Sequence, residues 1–412
     1  MRNSLQSLTC LAALAAASGF PLSVAADPEP SADKAPADRR AELSYEGRRL
    51  ADDLGKSLPE GSEARAMYDD ILSGSRLSAT DGWFRLAVAK TRFDWPTVSE
   101  RFDANGDGGI DRAEFGRSKD DFDRLDRDGD GVIRESDFAW SQPAQDRDEA
   151  MALYRPADRD GDGRITEEEF ASLFQKLDRD GAGFVTLDDL RAYFARTEAG
   201  GGRGGRGPAP DILLRGLARQ EIGSLQAGPE LGESVPDFSL ETLTGDERIT
   251  LSEQIGEQPV VLVFGNFTCG PFRSQAGNVE KLFRRYGDRA KFLMVYVREA
   301  HPTDGWHMAG NSAGGVEIAQ PKTYQERVGV ATQCQGRLDF GMPFLVDSID
   351  DKVGAAYSGM PSRLYVIDRD GKVAYKSGRG PHGFKPAEME QSLLFLLAES
   401  ENVKQQAAQD IP

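Results

Sequence analysis

The sequence of 412 residues predicts a multidomain protein in which an all-α domain is followed by an α/β domain. Between residues 84 and 197, a short loop rich in aspartate and glycine is repeated, and helical patterns flank each copy. Beyond residue 211, apolar β-branched runs alternate with amphipathic runs of helical period. This alternation is typical of a largely parallel sheet covered by helices.

The first residues predict an exported protein, periplasmic or extracellular. Arg2 precedes an apolar run over Leu8–Val24, and small residues follow at Ala25 and Ala26, as in a signal peptide ending at residue 26. This run is too short to span a bilayer comfortably, and no other apolar stretch approaches membrane length, so no membrane insertion is expected. Residues 27–40 are predicted to be a disordered leader, and 41–83 form a helical segment of unknown role.

The repeated loops predict an EF-hand calcium-binding domain over residues 84–197. The four copies read DANGDGGIDRAEF, DRDGDGVIRESDF, DRDGDGRITEEEF and DRDGAGFVTLDDL. An EF-hand loop takes oxygen ligands from positions one, three, five, seven and twelve, and it needs glycine at six for a sharp turn. An apolar residue recurs at position eight, so these are not merely solvated acidic segments. We call them loops one to four: 103–114, 126–137, 158–169 and 178–189.

The four loops differ in the ligands that they offer to Ca²⁺. Loops one and three are complete and are expected to bind calcium well. Loop two ends in aspartate, whose shorter side chain predicts weaker binding, and loop four carries Ala182 at position five, which predicts a structural or very weak site. The candidate ligands are Asp103, Asn105, Asp107, Gly109 and Glu114 in loop one; Asp126, Asp128, Asp130 and Asp137 in loop two; Asp158, Asp160, Asp162, Arg164 and Glu169 in loop three; Asp178, Asp180 and Asp189 in loop four.

A candidate nucleophile lies in the stretch VVLVFGNFTCGPF, Val260–Phe272. The apolar run predicts a buried strand, Pro271 is placed where a helix would begin, and Gly287 would end the next helix. Cys269 would therefore lie at a helix N-terminus, where the dipole and free N–H groups favour a thiolate near neutral pH. The alternative is a buried structural cysteine.

Two further residues are candidates for the same site. The strand in KFLMVYVREAHPTDGW, Lys291–Trp306, ends before His301, and parallel strands place such ends at one sheet edge beside Cys269. His301 could instead be an idle surface histidine. Cys334, late in the helical stretch Lys322–Leu338, could resolve an oxidised Cys269 through a disulfide, or it could be a packed helix cysteine.

Three ordered blocks over Pro236–Ala398 resemble the iodothyronine deiodinase family. FGNFTCGPF resembles the family's active-site turn, with Cys269 where the family has selenocysteine and Thr268 before it. The second block ends in EAHPTDGW with Glu299 and His301, and the third is PSRLYVIDRDGKVAYKSGRGP. The resemblance implies a thioredoxin-like α/β domain over 211–402, with a flexible tail at 403–412.

The resemblance also implies roles for site residues. Cys269 would be the nucleophile, with Thr268, Glu299, His301 and Cys334 as the other catalytic candidates. Substrate would be bound by Asn266, Pro361 and Arg363; Pro361 is expected to be cis, because thioredoxin-like folds place a cis-proline opposite the active-site cysteine. Phe267 stands where vertebrate members have a second cysteine.

Three classes of function remain open. The first is a calcium-binding thiol oxidoreductase of deiodinase type, acting on a halogenated aromatic or a similar electrophile. The second is a thiol peroxidase or disulfide reductase on the same fold, and the third is a calcium-dependent binding protein with an inert redox domain. Either enzyme would need a small-molecule substrate and an external thiol reductant. Nucleic acid is not an expected partner, because the net charge is −18 and the Gly/Arg-rich linker at 198–210 has only two arginines.

Overall fold

The structure is a computed structural model that describes residues 39–74, 88–140, 145–200 and 209–409. The predicted signal peptide at 1–26 lies outside these residues, as does most of the leader and of the Gly/Arg-rich linker. The predicted multidomain class is confirmed, with EF-hand helices first and a mixed α/β sheet after them.

The helices fall into three groups along the chain. An N-terminal group precedes the EF-hand loops, the EF-hand helices flank those loops, and the remaining helices lie in the C-terminal part of the chain. Their bounds are α1 Tyr45–Ser57, α2 Glu63–Ser73, α3 Trp95–Phe102, α4 Arg112–Phe115, α5 Lys119–Leu125, α6 Gln145–Ala157, α7 Glu167–Leu177, α8 Leu187–Gly200, α9 Pro210–Ala218, α10 Gly270–Ser274, α11 Ala276–Tyr286, α12 Ala309–Ala313, α13 Tyr324–Leu338, α14 Lys352–Ala356 and α15 Pro386–Gln409, with 3₁₀ turns at Arg39–Glu42, Glu135–Phe138 and Leu251–Glu253.

The strands of the described residues form one eight-stranded sheet in the order β1-β8-β7-β4-β5-β6-β2-β3. The central strands β4, β5 and β6 are parallel, and β7 and β8 form an antiparallel hairpin beside β4. The bounds are β1 Lys90–Thr91, β2 Ser239–Thr242, β3 Arg248–Thr250, β4 Val260–Gly265, β5 Lys291–Tyr296, β6 Phe344–Val346, β7 Arg363–Ile367 and β8 Val373–Lys376.

The centre of the sheet is buried on both faces, as its sequence predicts. Every residue of β4 is buried, which suits a continuous apolar run between two layers of helices. On one face lies α11, whose apolar stripe is buried and which ends at Gly287. The active-site turn therefore follows a rigid strand at the carboxyl edge of the sheet, where α/β proteins place their sites.

The first two EF-hand loops share their core with the sheet. Strand β1 pairs with β8, and Phe102 and Phe115 pack against Phe395 of α15. Phe93 joins the same apolar cluster, together with residues of the central strands. The predicted boundary near residue 210 thus separates two sequence patterns rather than two separate cores.

Two predictions about segments are revised or extended by the fold. Helix α15 continues to Gln409 and so includes residues 403–409 of the predicted tail, whose flexibility stays a prediction. The helical segment of unknown role forms an antiparallel pair, α1 and α2, that packs with α9 in a second apolar cluster. Trp306, which follows the predicted catalytic histidine, packs against this cluster.

Candidate functional site

Cys269 lies where the sequence predicts, in the turn between β4 and the helix that begins at Gly270. Its side chain is only 1% exposed, and it is a free thiol. Burial raises the pKa of Cys269, although the Phe272 N–H, the Arg273 guanidinium and the Ser362 hydroxyl each favour the thiolate. The expected thiolate near neutral pH is therefore corrected: the helix terminus is present, but desolvation outweighs it.

Asn266 holds the turn in place with both ends of its amide. Its Oδ1 accepts hydrogen bonds from the backbone N of Cys269 at 3.0 Å and of Ala300 at 3.2 Å. Its Nδ2 donates to the Pro361 carbonyl at 3.0 Å. Asn266 is fully buried, and its hydrogen bonds join three loops around the thiol; its predicted role in substrate binding stays a prediction.

Glu299 and Thr268 form a buried polar pair next to the thiol. Glu299 Oε2 accepts from the Thr268 N at 2.9 Å and from its Oγ1 at 2.7 Å, and Glu299 Oε1 accepts from the Tyr296 hydroxyl. Both residues are completely buried. Burial raises the pKa of Glu299, partly offset by these hydrogen bonds to the carboxylate.

His301 approaches the same pair through its backbone. Its N–H donates to Thr268 Oγ1 at 3.0 Å, and its ring Nδ1 lies 3.0 Å from the Trp306 carbonyl oxygen. A carbonyl can only accept, so Nδ1 carries the hydrogen and Nε2 is left with a free lone pair in the neutral ring. Burial lowers the pKa of His301 to about 4, so the ring is neutral at pH 7 and is a weaker base than an exposed histidine.

A guanidinium that the sequence analysis missed lies beside both cysteines. Arg273 is one helical turn beyond Cys269, and it donates to the Phe267 carbonyl and, at 2.9 Å, to Asn311 Oδ1. Its charge favours the thiolate of Cys269 and of Cys334 alike. Arg273 could have been predicted from the sequence, because it follows the cysteine by four residues at the start of the same predicted helix. Nothing in the sequence indicated Asn311.

Cys334 lies inside the helix that the sequence predicts, and it is completely buried. Burial raises the pKa of its thiol far above the ordinary value, and nearby Glu299 adds to this effect. Both thiols are free in the structure. The resolving role of Cys334 stays a prediction, with its proximity to Arg273 and Glu299 in its favour.

The β7 side of the site holds the other two predicted substrate residues. The Met360–Pro361 bond is cis, as expected. The side chain of Arg363 is buried and donates to Glu63 of α2 at 2.9 Å, and Arg379 also contacts Glu63 at 2.9 Å. A role for Pro361 or Arg363 in substrate binding stays a prediction. To bind substrate, Arg363 would have to release the Glu63 carboxylate and bond to a group of the substrate in its place.

The EF-hand loops have the geometry of calcium sites. Carboxylate oxygens of Asp126, Asp128 and Asp130 lie within 4.8 Å of one another, and so do those of Asp158, Asp160 and Asp162. Glycines at loop positions four and six have positive φ, as the tight turn requires. Loops one and two are joined by a pair of hydrogen bonds between Ile110 and Ile133, at 2.9 and 3.0 Å.

The residues at position twelve fold back over their loops. Glu114 accepts from the N–H of Asn105 at 3.0 Å, Asp137 from that of Arg127 at 2.7 Å, and Glu169 from that of Arg159 at 3.0 Å. These carboxylates close the shell that the aspartates begin. The donor set fits Ca²⁺, which prefers six to eight oxygen ligands.

The fold and the site together define a thioredoxin-like domain with one cysteine at the helix start, preceded by EF-hands. Residues 214–395 match the family model of iodothyronine deiodinase. Residues 117–175 match an EF-hand domain pair and 100–117 match an EF hand. Residues 214–395 thus match the iodothyronine deiodinase family model, and residues that match EF-hand models precede them, as the sequence predicted.

Curated relatives agree with the family model. A thyroxine 5-deiodinase of Gallus gallus is 35% identical over 39% of this chain and 60% of that protein. A type I iodothyronine deiodinase of Xenopus laevis is 31% identical over 39% of this chain and 61% of that protein. The chain thus spans about 60% of the length of the curated relatives that it matches. A disulfide oxidoreductase from Mycobacterium tuberculosis aligns at 14% identity and a TM-score of 0.29, over 39% of this chain and 96% of that structure.

The comparisons correct the predicted location. The vertebrate deiodinases that the chain matches are integral membrane proteins, so the expectation of an exported protein is overturned. Within the described ranges, no helix combines the length and the apolar character needed to cross a membrane.

Proposed function

We propose that the chain is a calcium-binding thiol oxidoreductase of deiodinase type, in which Cys269 attacks a halogenated aromatic or a similar electrophile. The proposal rests on the groups that surround Cys269. Asn266 fixes its backbone, the Phe272 N–H and the Ser362 hydroxyl favour its thiolate, and Arg273 supplies a compensating charge. A purely structural cysteine does not need this set of groups.

The first step is loss of the Cys269 proton. Neutral His301, with a free lone pair on Nε2, is the proposed acceptor. Glu299 holds the Thr268 hydroxyl, which in turn accepts a hydrogen bond from the His301 backbone N–H. The sulfur then attacks the halogen, and the carbon–halogen electron pair stays on the ring carbon, which takes up a proton. The product is a sulfenyl halide on Cys269 and a dehalogenated ring.

A second thiol completes the cycle. Cys334 or an external thiol attacks the sulfur of the sulfenyl halide, releases the halide with a proton, and leaves a disulfide. An external thiol reductant then returns Cys269 to the free thiol. Calcium binding by loops one and three, and more weakly by loop two, belongs to the same proposal: it rests on the ligand sets in the sequence and, for loops two and three, on the clustered carboxylates.

A peroxidase or disulfide reductase is the second candidate. It is favoured by the presence of sulfur rather than selenium at Cys269, because a cysteine attacks a halogen more slowly. Attack on a peroxide would form a sulfenic acid and release an alcohol or water, after which Cys334 would form the disulfide. The third candidate, a calcium-dependent binding protein with an inert thiol, is favoured by the burial of both cysteines.

The deciding experiment is a turnover screen of the full chain with haloaromatics, peroxides and disulfides, in the presence of a thiol reductant. Cys269→Ser should abolish turnover with every active substrate, because the nucleophile is lost. Cys334→Ser is the matched control: it also removes a buried thiol, and it should leave single-turnover attack intact while slowing the multiple-turnover cycle. Turnover that survives Cys269→Ser would contradict the proposal, and no turnover in the wild type would favour the binding protein.

A further inference from the structure

Loop three packs directly against the helix that begins after Cys269. A Cβ atom on Gly163 would lie 2.1 Å from the Arg273 carbonyl oxygen, which shows how closely the loop backbone approaches α10. A Cβ on Gly277 would lie 2.6 Å from the Gly163 carbonyl oxygen. Tyr154, in the helix that enters loop three, donates to the Ser274 carbonyl at 3.4 Å.

The same loop also holds the end of the helix that contains Cys334. Arg164 donates to the Leu338 carbonyl at 2.9 Å, and to the carbonyl and carboxylate of Asp339 at 3.0 and 2.9 Å. In return, Arg337 donates to the backbone carbonyl of Asp160. Cys334 lies one helical turn before these contacts.

The residues that make these contacts belong to the calcium loop itself. Asp160 and Arg164 occupy loop positions three and seven, which bind calcium through a carboxylate and a backbone carbonyl. The Asp160 carbonyl and the Arg164 side chain are the groups that bond to the end of α13. A calcium ion that orders the backbone of loop three therefore also fixes the positions of these two groups. Loop three thus bridges α10, which begins directly after Cys269, and α13, which contains Cys334.

Loop one provides a natural comparison. In the described part of the chain, the side chains of Asp103, Asn105, Asp107 and Glu114 bond to backbone groups of their own loop. Its flanking helices pack through Phe102 and Phe115 on Phe395 of α15. Among the described residues, the side-chain hydrogen bonds of these loop-one ligands do not reach α10 or α13, so calcium in loop one lacks the bridge that loop three makes.

We propose that Ca²⁺ bound in loop three, and not in loop one, clamps α10 to α13 and so controls access to the thiols of Cys269 and Cys334. This inference rests on the proposed thiol chemistry and calcium binding. Both thiols are buried, so a reagent reaches them only when these helices open locally. Calcium that stabilises the closed arrangement lowers the population of the open one, and by reciprocity a modified Cys269 weakens calcium binding in loop three.

The test compares amide hydrogen exchange and the iodoacetamide labelling rate of Cys269 in the full chain, with calcium and with chelator. We expect calcium to slow exchange in residues 158–169, 270–286 and 324–339, and to slow labelling about fivefold or more, the lower end of typical allosteric coupling. Neither readout depends on turnover, so an inactive protein would refute the proposed enzyme without affecting this test.

Four variants distinguish an effect of the contacts between loop three and α13 from a general effect of calcium on the stability of the protein. Arg164→Ala retains the backbone carbonyl at position seven; it should bind calcium in loop three but reduce the calcium effect on labelling to less than about twofold. Glu169→Gln should lose both binding in loop three and the effect. The matched controls, Glu114→Gln in loop one and Arg112→Ala on its exposed helix, should keep the effect.

Two results would overturn the inference. One is slower hydrogen exchange that is confined to residues 158–169, with no change in α10 or α13. Calcium would then bind in loop three without stabilising these two helices. The other is loss of the labelling effect in Glu114→Gln but not in Glu169→Gln, because loop one would then be the controlling site.

Discussion

The thiol of Cys269 and the ring of His301 are both governed by desolvation. Burial raises the pKa of the first and lowers the pKa of the second to about 4, so both groups are neutral at pH 7. With these pKa values the thiol keeps its proton in the free protein, and the proposed transfer to the imidazole would have to accompany attack on the substrate. The nearby Arg273 charge then stabilises the thiolate that forms.

The low pKa of His301 makes a testable contribution to stability. An unfolded histidine binds a proton near pH 6.5, and the folded one only near pH 4, so the unfolded state binds more protons between these values. Stability from this residue is complete above pH 6.5 and is lost as the pH falls towards 4. Between pH 7 and 5, we expect wild type to lose about 1–2 kcal/mol more free energy of unfolding than His301→Gln does.

Chemical denaturation at pH 7 and pH 5 measures this difference directly. His307→Gln is the control, because His307 lies in the same loop and is exposed. An equal loss of stability in wild type and His301→Gln would mean that the ring titrates normally. In turnover, His301→Ala should lower kcat/KM about 10²-fold, the usual contribution of a general acid–base group.

The α1–α2 pair has a structural connection to the site that its sequence did not suggest. Glu63, in the first turn of α2, is the shared partner of the buried Arg363 and Arg379. These guanidiniums lower the pKa of Glu63 against the effect of burial. Met67 of the same helix contacts Arg379 through its sulfur at 3.0 Å.

Removing the Glu63 charge should destabilise the protein strongly. Glu63→Gln leaves two buried guanidiniums without a carboxylate, which typically costs about 3–5 kcal/mol. Asp69→Asn in the same helix is the control, since its pair with Arg65 is exposed and should contribute less than about 1 kcal/mol. Urea denaturation of both variants tests this, and similar values for the two would show that the buried pair is not a main attachment of α2.

Local patterns were read correctly from the sequence, whereas contacts between distant segments were not. The turn at Cys269 and the EF-hand loops each depend on a few neighbouring residues, so composition and spacing predict them, whereas the cis peptide before Pro361 was predicted from the resemblance to thioredoxin-like folds. The direction of the Cys269 pKa depends on groups such as Ser362, which β7 brings from far along the chain. The same holds for Glu63 and Arg363, which are 300 residues apart.

Across the whole molecule, calcium binding and folding should be coupled loop by loop. Each occupied site stabilises the folded state according to the calcium concentration relative to its dissociation constant, about 2.7 kcal/mol at a hundredfold excess. Loops one and three have complete ligand sets, and loop four has Ala182 in place of a ligand. Asp103→Ala and Asp158→Ala should therefore each reduce the calcium-induced rise in melting temperature by several degrees, about 3–6 °C.

Asp178→Ala in loop four is the matched control and should change the calcium-induced rise by less than about 1 °C. Calorimetric titration of the same proteins should show two strong sites in wild type and in Asp178→Ala, and one in each of the other variants. Tightest binding in loop four, or a melting temperature that calcium does not change, would contradict the assignment. Because loop one packs through Phe102 and Phe115 on the helix beside the sheet, Asp103→Ala should also lower the melting of the redox domain itself, which near-ultraviolet circular dichroism can follow.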